Sequence, residues 1–422
     1  MGGSEANGGA MEAVRTPPID CPTSTVDLWA SEVLTDPYPT YRAMRDLGPV
    51  VWLGRHGVLA LPHFAVVRSV LTNWPRFSSA AGVGVDDVAN SMMPESIIKS
   101  DPPEHDEHRR LLTNQLTIGS LAGASGEIER TAESLVAGLV ARGTFDAVTD
   151  LARPYSVTVV GDLIGLPDEG RDGLAHLAER AFNIFGPANE RLAAAPAALE
   201  QLFGHAFGVA RSGRLCPGRR AAALVEQGRP DAIVAYTWPG IDTTVNAIAA
   251  AVYLFARHPD QWDLVRGDPS LIPSAFAEVL RMHAPVHYFT RRTTEPVEVD
   301  GFVLPADARV LVMYGSANRD ERHYPDPDRF DVTRNPSDQL AFGRGIHLCV
   351  GMNLAKIEAH TLLSALARHV ERFELVGEPE WLLNNTLHGP ARLPVSVIPA
   401  AVPPLSFRRR PRGVPSTITT RR

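Results

Sequence analysis

The chain has 422 residues, a formal net charge of −7, and is 44% hydrophobic and 21% charged. That is enough to bury a large core around something sizeable, and the acidic balance argues against nucleic acid as a main partner. The three cysteines, Cys21, Cys216 and Cys349, are odd in number and far apart, which implies no disulfide framework and fits a reducing cytoplasm.

In chain order, residues 1–35 open with MGGSEANGGAMEAV, which lacks a signal-peptide pattern and reads as a loose segment. VVWLGRHGVLALP predicts a hairpin turning at His56-Gly57. From Asp101 to Arg257 apolar residues recur at helical spacing, as from Ile128 to Leu139 and through LARPYSVTVVGDLIGL. The apolar run IVAYTWPGIDTTVNAIAAAVYLFA is long enough for a membrane span, but Asp242, Asn246 and Pro239-Gly240 would be costly in hydrocarbon. It reads as a helix buried in protein, so no membrane association is expected. VEVDGFVLPADARVLVMY predicts strands with a turn at Asp300-Gly301. After Gly351, Ala355, Ala359, Leu362, Leu366 and Val370 share one helical face. The tail from residue 400 carries six arginines between Arg408 and Arg422 among Pro, Gly, Ser and Thr, and reads as a solvated, disordered appendage. The fold class is mainly α, with small sheets at the side and one domain over residues 36–399.

The stretch AFGRGIHLCVG, residues 341–351, sets Cys349 among Gly343, Gly345 and Gly351, just before a buried helix. Amides at a helix N-terminus favour a thiolate and lower the thiol's pKa, and the glycines let backbone wrap closely around it. A nucleotide loop fits poorly, because Leu348 stands where GxGxxG needs its third glycine. A zinc site lacks a second ligand pair beside His347 and Cys349. From the residues alone, an inert buried cysteine and a thiolate ligand to haem iron both stay open; such a thiolate would favour cleavage of the oxygen-oxygen bond.

FGRGIHLCVG resembles the FxxGxxxCxG signature of the cytochrome P450 family, and further elements follow that family's order. Glu278-Val-Leu-Arg281 is similar to its ExxR pair, with Arg329 of HYPDPDRFDVTR matched to the third member of that network. TWPGIDTTVNAIAAA is similar to its AGxDT stretch, although Pro239 replaces the usual Ala and removes a helix hydrogen bond. The resemblance implies the P450 fold and haem b (iron protoporphyrin IX), with Cys349 as axial metal ligand and Phe342 and Gly351 beside it. It implies Asp242 and Thr243 as the proton relay, and His105, Arg109, Arg291 and His347 as propionate contacts. The implied reaction is monooxygenation in the cytoplasm, fed by a ferredoxin and its NAD(P)H-linked reductase, since no redox domain fits in the remaining chain. Arg109, Arg110 and Arg344 are candidates for the docking face. Phenol coupling or peroxide-driven oxidation on the same haem, and a non-enzymatic haem sensor or carrier, are the alternatives.

For substrate, AFNIFGPANE, DTTVNAI, GSANRD and NNTLHG resemble the bacterial subgroup that oxidises para-substituted benzoates, often removing an O-methyl group. That match implies Phe182, Phe185, Val286 and Phe289 as pocket residues. The subgroup's carboxylate-binding arginine corresponds here to Met92, and its distal Arg-Ser pair to Val234 and Ala235, while Glu95 adds a negative charge. An unpaired carboxylate would be expensive to bury there, so a neutral or cationic small aromatic substrate is expected.

Overall fold

The computed structural model describes residues 15–401. Ten helices frame the site: α1 (Asp87–Met92), α2 (Glu104–Thr113), α3 (Ser125–Arg142), α4 (Arg153–Ile164), α5 (Leu174–Ala181), α6 (Glu190–Ser212), α7 (Val234–Thr237), α8 (Pro239–Arg257), α9 (Ile272–Met282) and α10 (Met352–His369). The strands are β1 (Thr23–Ser24), β2 (Val51–Leu53), β3 (Val58–Leu61), β4 (Phe77–Ser78), β5 (Thr144–Asp146), β6 (Phe289–Thr293), β7 (Val297–Val299), β8 (Phe302–Leu304), β9 (Arg309–Val312), β10 (Val370–Leu375), β11 (Glu380–Trp381), β12 (Pro390–Arg392) and β13 (Pro394–Pro399). The mainly α class with separate small sheets is what the sequence implied, and about 52% of the chain is helical.

Local chemistry explains the elements. In α3 the buried residues Ile128, Ala132, Val136 and Leu139 form one stripe, and Gly143 at φ +79 ends it where other residues are strained. α8 is buried on nearly every side, which is why its sequence mimics a membrane span; no helix among the described residues is long and apolar enough to cross one. Both predicted turns form: Leu53 pairs with Val58, and Asp300 and Gly301 at φ 47 and 85 join the β7/β8 hairpin.

The six-stranded sheet has the order β1-β2-β3-β9-β6-β4, and a second sheet has the order β10-β13-β5. β1 corrects the expectation of a loose segment through residue 35. Thr23 and Ser24 pair in parallel with Trp52 and Leu53, and buried Trp29 donates from Nε1 to Tyr288 Oη (2.7 Å) and the Asn385 carbonyl (3.0 Å). The rest of that expectation, residues 1–14, and the arginine-rich tail from residue 402 lie outside the described residues.

Behind the site, Glu278 and Arg281 are fully buried on α9. Arg281 donates from Nε to Glu278 Oε2 (2.7 Å) and from Nη2 to Oε1 (2.8 Å), a bidentate pair. The third member is Arg334, whose Nε donates to Glu278 Oε1 at 3.1 Å and whose side chain is 13% exposed. This corrects the assignment to Arg329. That side chain is 62% exposed and turns outward to Asp326 and Asp331, while only its carbonyl faces inward, accepting from Arg334 (3.3 Å).

Removing one partner of a buried ion pair leaves its counter-charge uncompensated. Arg334→Ala is therefore expected to destabilise by about 3–5 kcal/mol and Arg329→Ala by less than about 1 kcal/mol, measured by urea unfolding. Equal losses would restore Arg329 to the network.

Candidate functional site

Within the cysteine loop, Gly343 and Gly345 have φ +67 and +69. A Cβ on Gly345 would sit 2.2 Å from the Leu71 carbonyl oxygen, so only glycine permits the close approach of the loop to the helix Phe64–Thr72. The Cys349 amide donates to the Phe342 carbonyl at 2.9 Å, and the Lys356 ammonium lies 5.9 Å from the Phe342 ring. The amides of Gly351 and Met352 and the charge of Arg109 favour a thiolate, as the helix N-terminus predicts, but desolvation by the surrounding protein outweighs them and raises the thiol's pKa, although the residue keeps an exposed surface. A metal ion would remove that proton outright. Gly351 itself, at φ −83, has an ordinary backbone.

His105, Arg109, Arg291 and His347 converge beside the loop. The rings of His105 and His347 meet edge-to-face at 4.7 Å, and both Nε2 atoms are buried without a hydrogen-bond partner. Burial, then the charges of Arg291, His105 and Arg109, hold His347 far below the usual histidine range. Arg291 is buried and donates to the Thr290 carbonyl at 2.8 Å. Among the described residues neither Arg291 nor Arg109 forms an ion pair. Two guanidiniums and two orphaned ring nitrogens in one place fit a ligand carrying carboxylates, as the two propionates of haem do. No group of three or more His, Cys, Asp or Glu side chains suited to a metal ion occurs among the described residues.

On the other side, helix assignment breaks at Trp238, between α7 and α8, directly before Pro239. Proline lacks the amide hydrogen needed to continue the ladder. Thr243 donates from Oγ1 to the Pro239 carbonyl at 2.7 Å. Asp242 is 1% exposed and receives Asn246 Nδ2 at 3.5 Å. Burial raises its pKa well above the carboxylate range; the Glu179 charge adds to this and the Arg153 charge opposes it. Arg153 and Glu179 are themselves paired at 3.2 Å, at the meeting of α4 and α5.

Beyond Asp242 lies an aromatic cluster. Phe182 and Phe185 sit 5.9 Å apart in a 3-10 turn, and Phe185 meets Phe289 edge-on at 5.1 Å. Val286, bridged to Leu387, packs against them. Two expected pocket residues lie elsewhere. Met92 is 67% exposed, because the Asp86 cap on the Ala89 amide (2.8 Å) sets α1 so that Met93 faces inward. Val234 belongs to the large helical core, as partly buried Ala235 does, and Trp238, one turn on, reaches the aromatic cluster. Sequence reasoning missed Met93, Trp238 and Leu387; the i, i+4 relation of Trp238 to Asp242 was the available signal. The buried cation Lys99, which reaches the cluster through Met93, is engaged by the Met93 carbonyl (2.7 Å) and Glu95 (3.5 Å).

Residues 270–392 match the family model described as Cytochrome P450. The chain is 37% identical over 391 residues to cytochrome p450 CYP199A2 of Rhodopseudomonas palustris, covering 89% of this chain and 94% of that protein. It is 32% identical over 390 residues to a beta-dihydromenaquinone-9 omega-hydroxylase of Mycobacterium tuberculosis, covering 88% and 78% respectively. Among solved structures, cytochrome P450 CYP109Q5 from Chondromyces apiculatus matches with a TM-score of 0.74 at 27% identity, covering 89% of this chain and 99% of that one.

A buried acid whose folded pKa is raised binds more protons folded than unfolded, so it costs stability once pH exceeds its unfolded pKa, and costs nothing well below it. Asp242→Asn is therefore expected to stabilise the protein at pH 8 by more than about 1.4 kcal/mol and to leave it unchanged at pH 3.5. Equal effects at both values, by denaturant titration, would place an ionised Asp242 in the fold.

Proposed function

We propose a reaction for this chain from the premise that it belongs to the cytochrome P450 family. It is a monooxygenase and its cofactor is haem b. Bound haem supplies the activation of dioxygen, by which one oxygen atom enters the substrate and the other leaves as water. The remaining work falls to the chain's own residues. Cys349 would hold the iron from the proximal loop, between Phe342 and Gly351, and His105, Arg109, Arg291 and His347 would hold the propionates. Asp242, neutral through burial, holds a proton one turn into α8, and the Thr243 hydroxyl beside it is the second station of the relay.

The substrate is a small, neutral aromatic or hydrophobic molecule, hydroxylated or O-demethylated. The observation that carries this reading is the make-up of the distal cluster: Phe182, Phe185, Phe289, Val286, Met93 and Trp238 surround it with hydrocarbon and ring faces. Lys99, the buried cation beside it, already has an anionic partner. A carboxylate entering the cluster would lose its water and gain no counter-charge.

Electrons come from a separate ferredoxin and its NAD(P)H-linked reductase. Arg110 is exposed and Arg344 partly so, on the elements that carry the propionate contacts and Cys349. A positive rim around the Cys349 loop suits an acidic electron donor. The free thiols, Cys21, Cys216 and Cys349, are compatible with a reducing cytoplasm.

Optical titration of the ferric protein tests the substrate reading. A spin shift is expected with methyl para-methoxybenzoate and none with the free acid at equal concentration; a shift with the acid would overturn neutrality of the pocket. Charge reversal at Arg110 and Arg344 together is expected to slow reduction by ferredoxin roughly tenfold at low salt, with the loss shrinking as salt rises. Unchanged stopped-flow reduction rates would remove those residues from the docking face.

A further inference from the structure

The distal cluster contains one polar atom that its own chain leaves unsatisfied. The buried tryptophans elsewhere find acceptors for their indole N–H groups: Trp29 at Tyr288 and Asn385, Trp52 at the Arg15 carbonyl (2.8 Å), and Trp262 at the Val370 carbonyl (3.3 Å). Trp238 does not. Its Nε1 is buried and has no partner among the described residues. A shielded donor without an acceptor is destabilising, and in a native fold such a group calls for a reason.

The geometry around Trp238 supplies one. Its ring stacks on Phe185 with centroids 5.6 Å apart and planes within 6°, and meets Phe182 edge-on at 5.6 Å. The stack therefore offers a flat wall of ring faces. Asp242 follows four residues later, in the first turn of α8, so the acid and the wall belong to adjoining turns of the chain. The cluster against which the indole packs is hydrocarbon, with Met93, Leu382 and Leu387 among its members, and such side chains accept no hydrogen bond of useful strength.

We infer that Trp238 determines specificity in this pocket. Its ring is the surface against which a flat substrate lies, and its N–H is the donor that recognises a neutral acceptor on that substrate. The ligand class is then an aromatic ether or arene bearing an uncharged carbonyl, as in an aryl ester, ketone or amide. This rests on the reading of the cluster as a pocket for neutral aromatics. The indole donor carries no formal charge, so it discriminates a carbonyl from a hydrocarbon without compensating a carboxylate's charge.

The test is equilibrium binding to the ferric haem-loaded protein, read as the optical spin shift. Three probes of similar outline are used: methyl para-methoxybenzoate, para-isopropylanisole, and para-methoxybenzoate as the free acid. The wild type is expected to bind the ester about tenfold more tightly than the hydrocarbon probe, the effect of one hydrogen bond. Trp238→Phe keeps a ring and loses the donor; it is expected to lose about tenfold on the ester alone, bringing the two neutral probes level. Trp238→Ala is expected to weaken both. If Trp238→Phe keeps the preference for the ester, or if the wild type shows none, the donor role is overturned while the neutral pocket stands. If the acid binds the wild type as tightly as the ester, the pocket reading itself fails. Failure of the wild type to bind any of the three overturns both.

Discussion

The buried carboxylate of Glu278 is the constraint on which the proximal half of this molecule depends. A fully buried charge is tolerated only when paired and hydrogen-bonded, and Glu278 meets that demand with two guanidiniums, from Arg281 and Arg334. Arg281 in turn donates to the Asn318 and Pro327 carbonyls at 3.0 and 2.7 Å. The side-chain oxygen of Asn318 receives the Leu340 amide at 2.7 Å. Leu340 is the residue before the cysteine loop begins. Satisfying one acid on α9 therefore fixes, through a short run of hydrogen bonds, where the loop carrying Cys349 starts. Such networks are costly when incomplete and rigid when complete, which suits a loop that must hold one sulfur in one place.

The two sides of the site show opposite electrostatic choices. Beside the cysteine loop the protein gathers Arg109, Arg291, His105 and His347 and gives Arg109 and Arg291 no carboxylate within the described residues. Burial and mutual repulsion keep His347 neutral, so the positive charge there belongs to the arginines. Across from it, Asp242 is buried and its pKa is raised well above its ordinary value, by burial first, with the Glu179 charge adding to this and the Arg153 charge opposing it. One side is prepared to receive negative charge and the other to hold a proton, and each state follows from desolvation more than from any single partner. Local instability of this kind is expected where a fold serves a ligand.

Much of this was legible in the sequence, because the informative features are short and local. The spacing of glycines around Cys349, the acid and alcohol before an apolar helix, and the turns at His56-Gly57 and Asp300-Gly301 need only a few adjacent residues to be read. What escaped depends on orientation or on distant partners. Arg329 and Arg334 lie in the same Asp- and Pro-rich segment, and spacing alone does not say which side chain turns inward and which leaves only its carbonyl there. Met92 and Met93 are neighbours of one kind; the Asp86 cap decides between them. β5 interrupts a stretch read as helix because Thr144, Phe145 and Asp146 pair with Ser396, Val395 and Pro394, some 250 residues away. β1 likewise owes its existence to β2 rather than to its own two residues.

The helix break at Trp238 ties these themes together. Pro239 cannot donate into the ladder, so α7 ends at Thr237 and α8 begins at Pro239. The Trp238 amide still donates to the Val234 carbonyl at 2.9 Å, which anchors the residue from the α7 side, while the Thr243 hydroxyl closes on the Pro239 carbonyl from the α8 side. The indole, the acid and the alcohol are thus held by one irregular turn. Trp238 stacks on Phe185, and the Thr243 hydroxyl, one residue from Asp242, has a fixed acceptor in the Pro239 carbonyl. The Trp238 ring, the Asp242 carboxyl and the Thr243 hydroxyl thus come from six consecutive residues, Trp238 to Thr243.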